Sequence, residues 1–104
     1  MSILDKRIQL QTLLESILGS RNVYFQPPES VALKYPAIVY TLSNINNSHA
    51  NDNVYMTDKN YLITVIDSDP DSEIRDKVSR IPTVKFDRHF TSNNLNHDVF
   101  VMRH

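Results

Sequence analysis

A chain of 104 residues with 40% apolar and 22% charged side chains has the composition of one globular domain, and it buries roughly 65% of its unfolded surface, enough for a single thin core between two layers. Eleven basic residues against twelve acidic ones leave a net charge of -1, which gives no global attraction for nucleic acid or an anionic membrane. There is no cysteine and Gly19 is the only glycine, which excludes disulfides, thiolate zinc sites, cysteine nucleophiles and the glycine-rich phosphate loops of nucleotide-binding proteins.

Leu10, Leu13, Leu14, Ile17 and Leu18 recur at helical spacing, and Ile3, Leu4 and Ile8 carry the stripe back two turns, which predicts an amphipathic helix. Ser2 with Asp5 resembles a capping box, and Gly19 stands where a left-handed C-terminal cap belongs. The charged residues Asp5, Lys6, Arg7 and Glu15 within the stripe are unlike a signal peptide, and no run approaches the roughly 20 apolar residues of a membrane span. A soluble chain with no membrane association is expected.

The segment VYFQPP, with Val23, Tyr24 and Phe25 ahead of Pro27 and Pro28, predicts a short edge strand, because proline donates no hydrogen bond to a ladder. Residues 37 to 42, nearly all apolar, β-branched or aromatic, read as a strand covered on both faces and central in the sheet. The polar run NINNSHANDN at 44 to 53 has neither helical nor strand period and predicts a projecting, mobile loop whose ends lie in antiparallel strands. In the strand KNYLITVID, Tyr61, Ile63 and Val65 share one face and Leu62, Thr64 and Ile66 the other.

Ile74, Val78 and Ile81 predict a second, shorter helix over 71 to 81, stopped by Pro82. In TVKFDRHFT the alternation places Val84, Phe86 and Phe90 inward and Lys85, Asp87 and His89 outward. Residues 93 to 96 resemble a longer loop, and DVFVM makes a last strand paired with the one before it. The order predicts an α+β fold: a mainly antiparallel mixed sheet with two helices packed on one face and a long projecting β-hairpin, all in a single domain over residues 1 to 104.

The densest cluster of ionisable groups is VIDSDPDSEI, with Asp67, Asp69 and Asp71 at single-residue spacing, the way many calcium sites begin. A calcium-binding loop opening at Asp67 would place Ser72 where glycine is required and Val78 where a bidentate glutamate closes the shell. A metal-binding module thus ranks below a helix start, in which Ser68 or Asp69 caps the helix, Pro70 takes its first turn, and Asp71 and Glu73 complement the positive end of its dipole. His49, His89, His97 and His104 show no helical zinc spacing; a terminal hairpin would bring His89 toward His97, with Asp98 adjoining, as a candidate metal or acid/base pair. Serines 16, 43, 48 and 72 lack the glycine-flanked nucleophile elbow. No catalytic residue, metal ligand or cofactor is assigned.

Taken in order, VYFQPPESVALKYPAIVY, YLITVIDSDPDSEI and FDRHFTSNNLNHDVFVM resemble the small tail-completion or tail-terminator (head-to-tail joining) proteins of tailed bacteriophages, over roughly residues 8 to 102. The shared features are Tyr35 and Pro36 opening a strand, the strand-to-helix junction at 63 to 72, and the closing hairpin at 94 to 98. The resemblance implies a non-enzymatic virion protein, assembled in the host cytoplasm as a homo-hexameric ring at the head-proximal end of the tail. There it would end tube growth and contact the tail tube protein and the neck or adaptor proteins, with DNA passing the lumen without sequence-specific binding. A head-completion adaptor nearer the capsid is the alternative. For such a ring the expected contact residues are Val23, Tyr24 and Phe25 on the edge strand and Asn46, Asn47, His49, Asn53 and Tyr55 on the hairpin, since open edges invite strand addition.

Overall fold

The computed structural model describes residues 3–50 and 53–103, with side chains described for 6–45 and 59–103. Two helices and five strands follow the order α1 (Ile3–Leu18), β1 (Val23–Phe25), β2 (Ala37–Ala50), β3 (Asn53–Asp67), α2 (Glu73–Ser79), β4 (Val84–Ser92) and β5 (Leu95–Arg103). The strands form one mixed sheet in the spatial order β1-β2-β3-β5-β4, an α+β arrangement. Only β1 and β2 run parallel; every other neighbouring pair is antiparallel. The expected central position belongs to β3, with β2 interior beside it.

The alternation in β3 places Tyr61, Ile63 and Val65 on the helix-covered face, where they join Ile38 and Tyr40 of β2, Phe100 and Met102 of β5, Leu10 and Leu14 of α1 and Val78 of α2 in one core. Gly19 closes α1 at φ +78°, its N–H donating to Glu15 O at 2.8 Å, the left-handed cap that a Cβ would disfavour. The apolar stripe of α1 is narrower than its spacing suggests: Leu10 and Leu14 are buried, whereas Ile8 and Leu13 are exposed. Ser2, half of the expected capping box, lies outside the described residues.

Four expectations are corrected. Residues 44 to 50 and 53 onward are not an irregular loop; they are the outer parts of β2 and β3, paired from Asn44↔Asn60 to Ala50↔Asn53. A mainly polar strand shows no hydrophobic period in sequence, while its ladder is still made. The tip, residues 51 and 52, lies outside the described residues. Second, Asn93 and Asn94 form a two-residue turn with φ 52° and 62°, and asparagine tolerates the left-handed pair that such a hairpin demands. Third, α2 spans 73 to 79 rather than 71 to 81.

The fourth correction concerns β4. A bulge between Phe86 and Arg88 inserts one residue and flips the alternation beyond it. Val84, Phe86 and His89 therefore share the helix side with Asp98 and Phe100, while Phe90 stands on the opposite face over His97. Phe86 is 57% exposed and Phe90 41%, so neither is the core residue that simple alternation predicts.

Tyr40, Tyr61 and Phe25 form an aromatic cluster with centroid separations of 4.9 to 6.4 Å. The Arg7 guanidinium lies over the Phe25 ring at 4.7 Å, and the Tyr40 hydroxyl donates to Gln11 Oε1 at 2.5 Å. Burial raises the Tyr40 pKa above its ordinary 10.0, with Arg7 opposing, and burial likewise raises Tyr61. A raised folded-state pKa means that the folded form holds the phenolic proton more tightly. This stabilisation is fully present below the unfolded pKa and is lost as pH rises through the folded one. Urea midpoints should therefore hold steady up to about pH 10 and fall above it. Tyr40→Phe should cost about 1 kcal/mol at neutral pH and make the alkaline fall shallower; an unchanged alkaline slope would contradict the assignment.

Candidate functional site

The acidic corner after β3 is built from two consecutive side-chain turns. Asp67 Oδ1 accepts from the Asp69 N–H at 3.1 Å, and Asp69 Oδ1 accepts from the Asp71 N–H at 2.9 Å. Aspartates two residues apart are what such turns require, because each carboxylate reaches the amide two positions on. Arg75 Nη1 donates to Pro70 O at 2.9 Å, and the Asn96 amide donates to Ser68 O at 3.4 Å, tying the corner to α2 and β5. Among the described residues no three His, Cys, Asp or Glu side chains gather as metal ligands.

The helix start differs from the expected one. Neither Ser68 nor Asp69 caps α2, and Asp71 precedes it; the N-cap residue is Ser72, at φ -60° and ψ 125°, and its side chain makes no capping bond. The Ser72 hydroxyl is instead buried without a protein partner. Glu73 and Asp76 supply the first-turn acids.

His89 and His97 do not meet. His89 is paired with Asp98 and Phe90 with His97 across the β4–β5 ladder, so the two imidazoles lie on opposite faces and form no shared ligand set. His89 Nδ1 is 2.7 Å from Asp98 Oδ1, with the carboxylate almost fully buried and the imidazole partly exposed. His97 stacks on Phe90 with ring centroids 4.6 Å apart, and its Nδ1 is 3.1 Å from Leu95 O. His49 is in β2 with its side chain outside the described residues, as is His104.

The His89–Asp98 pair opens onto a cleft of about 510 Å³ between α2 and the exposed end of the sheet, lined by Pro70, Arg75, Asp76, Ser79, Phe86, Asn96 and Phe100 besides the pair. Phe86 meets Phe100 edge-to-face at 5.6 Å. A carboxylate-oriented imidazole is half of a nucleophile-activating arrangement. The cleft's serine does not complete it, since the Ser79 hydroxyl donates to Asp76 O at 2.6 Å. The parity flip at the bulge is what sequence spacing lacked: without it, His89 would face away from the helices and Arg88 would stand opposite Asp98.

On the opposite face, the connection from β1 to β2 brings Pro27, Pro28, Val31 and Leu33 over Val39, Thr64, Ile66 and Phe90, enclosing a second cleft of about 350 Å³. Of the expected contact residues on β1, Val23 has its side chain buried in the core. Its carbonyl accepts from Gln11 Nε2 at 3.0 Å, so α1 caps part of that edge. Phe25 sits in the aromatic cluster, and the Tyr24 hydroxyl accepts from the Lys34 N–H at 3.4 Å. Asn46, Asn47, His49, Asn53 and Tyr55 are all placed on the paired arm of β2 and β3, with their side chains outside the described residues.

Comparison of the chain with protein-family models, with curated proteins and with solved structures finds no match.

Two substitutions separate the observed corner from a side-chain cap. Ser72→Ala should leave stability within about 0.5 kcal/mol, because the lost hydroxyl has no partner, whereas a capping serine would cost about 1 kcal/mol. Asp69→Ala should cost about 1 kcal/mol through the lost turn. Calorimetric titration with calcium or magnesium should be flat for both variants and for the native chain; binding abolished by Asp69→Ala would reinstate a cation site.

Proposed function

We propose that the chain is a structural virion protein of a tailed bacteriophage, a tail-terminator or tail-completion component that self-assembles into a ring at the head-proximal end of the tail. The reading rests on the resemblance carried by residues 8 to 102. The observation that supports it most directly is the arm, residues 44 to 58 of β2 and β3, which runs beyond the last residues paired with β1 and β5. The molecule is elongated, 52 × 24 × 24 Å. A prepaired hairpin that runs past the neighbouring strands suits an intersubunit contact. Rings of one chain use heterologous contacts, in which one surface meets a different surface of the next copy.

In this reading the ring is a hexamer that meets the tail tube protein on one side and the neck or adaptor proteins on the other. It takes no cofactor and catalyses no reaction. DNA crosses its lumen without adhering, with which a net charge of -1 is compatible.

A phage lacking this protein should produce tails of uncontrolled length or tails that fail to join heads, and negative-stain images of the purified protein at high concentration should contain rings. Normal virions from the deletion phage would end the proposal. Capture of portal or adaptor protein in place of tube protein would move the ring one level toward the capsid.

A further inference from the structure

We propose that the cleft holding His89 and Asp98 binds a phenol ring, with the ring laid against Phe86 and its hydroxyl donating to the imidazole of His89. The inference concerns the chemistry of the cleft itself and does not depend on the virion role.

At about 510 Å³ the cleft falls within the roughly 300 to 1,000 Å³ of small-ligand sites. Its apolar lining is Pro70, Phe86 and Phe100. Phe86 meets Phe100 edge-to-face at 5.6 Å and is still 57% exposed. A second ring placed against it gains an aromatic contact and removes apolar surface from water.

Most polar groups of the lining already bond within the chain. Arg75 donates to Pro70 O and to Asp76 Oδ1, the Ser79 hydroxyl donates to Asp76 O, and the Asn96 amide donates to Ser68 O. One guanidinium faces two carboxylates, Asp76 and Asp98, which disfavours a phosphate or carboxylate ligand. Both carboxylates are themselves paired, with Arg75 and with His89, so a cation gains less there than an unpaired acid would give it.

His89 supplies the group that remains. An ionised Asp98 can only accept, so the hydrogen shared at 2.7 Å belongs to His89 Nδ1, and in the neutral imidazole Nε2 is then an acceptor. Nε2 lies on the ring edge away from Asp98, the side chain is 42% exposed, and Nε2 bonds to nothing among the described residues. The buried carboxylate thus fixes the tautomer of a nitrogen that is open to the cleft. An acceptor beside an exposed aromatic face selects a ligand that joins a ring to a hydrogen-bond donor, and a phenol has that form.

Titration with p-cresol, followed by NMR, should shift the His89 and Phe86 signals saturably. Its O-methylated form, 4-methylanisole, keeps the ring but donates nothing and should bind about fivefold more weakly. Asp98→Asn lets the new amide donate to Nδ1 and turns Nε2 into a donor, so it should weaken p-cresol by a similar factor and leave 4-methylanisole unchanged. If that variant does not fold, Phe86→Ala, at an exposed position, should abolish binding of both. A free phenol and a tyrosine side chain share this chemistry: oligomers that p-cresol dissociates assign the ring to a tyrosine of a second copy, and p-cresol bound with no change in solution mass assigns it to a free phenol. Equal binding of p-cresol and 4-methylanisole, preference for benzylamine over p-cresol, or shifts confined to Phe90 and His97 would overturn the inference.

Discussion

The antiparallel ladder between β2 and β3 is the constraint on which the rest of the molecule depends. It runs from Ala37↔Ile66 to Ala50↔Asn53, and its two halves have different duties. The inner half presents Ile38, Tyr40, Tyr61, Ile63 and Val65 to the helices and supplies five of the eleven buried core residues among those described. The outer half continues past the strands β1 and β5 as the arm. Adding β1 to one side of the inner half and β5 with β4 to the other leaves the sheet with one short, partly capped edge and one long, exposed edge.

The inner half was legible in the sequence because burial writes a pattern. Tyr61, Ile63 and Val65 alternate with Leu62, Thr64 and Ile66, and each set could be assigned to a face before any coordinates. The same holds for Leu10, Leu14 and Val78. The outer half was illegible because its sequence has no hydrophobic period to read; its ladder is made although its residue types obey no alternation. Phe90 and His89 were assigned to the wrong faces for a different reason. A single inserted residue at the bulge reverses every later position, and β-bulges have weak sequence signatures unless glycine marks them. Asn93 and Asn94 did carry a usable signal, since adjacent asparagines favour paired left-handed residues.

The acidic corner changes what VIDSDPDSEI is taken to mean. Its aspartates are spaced for self-satisfaction of the backbone, two carboxylates accepting from amides two residues on, and the helix beyond starts at Ser72 without a side-chain cap. The corner holds the hand-over from β3 to α2, which in turn sets one wall of the cleft containing His89 and Asp98. That buried carboxylate takes its imidazole partner from the edge strand, so the integrity of β4 and of the cleft are linked.

Amide hydrogen exchange along β2 and β3 tests the ladder most directly, because protection reports hydrogen bonding residue by residue. The account predicts strong protection for residues 38 to 41 and 62 to 66. It predicts weaker but distinct protection for the interstrand amides between 45 and 49. Exchange of those arm amides at the free-peptide rate would contradict it.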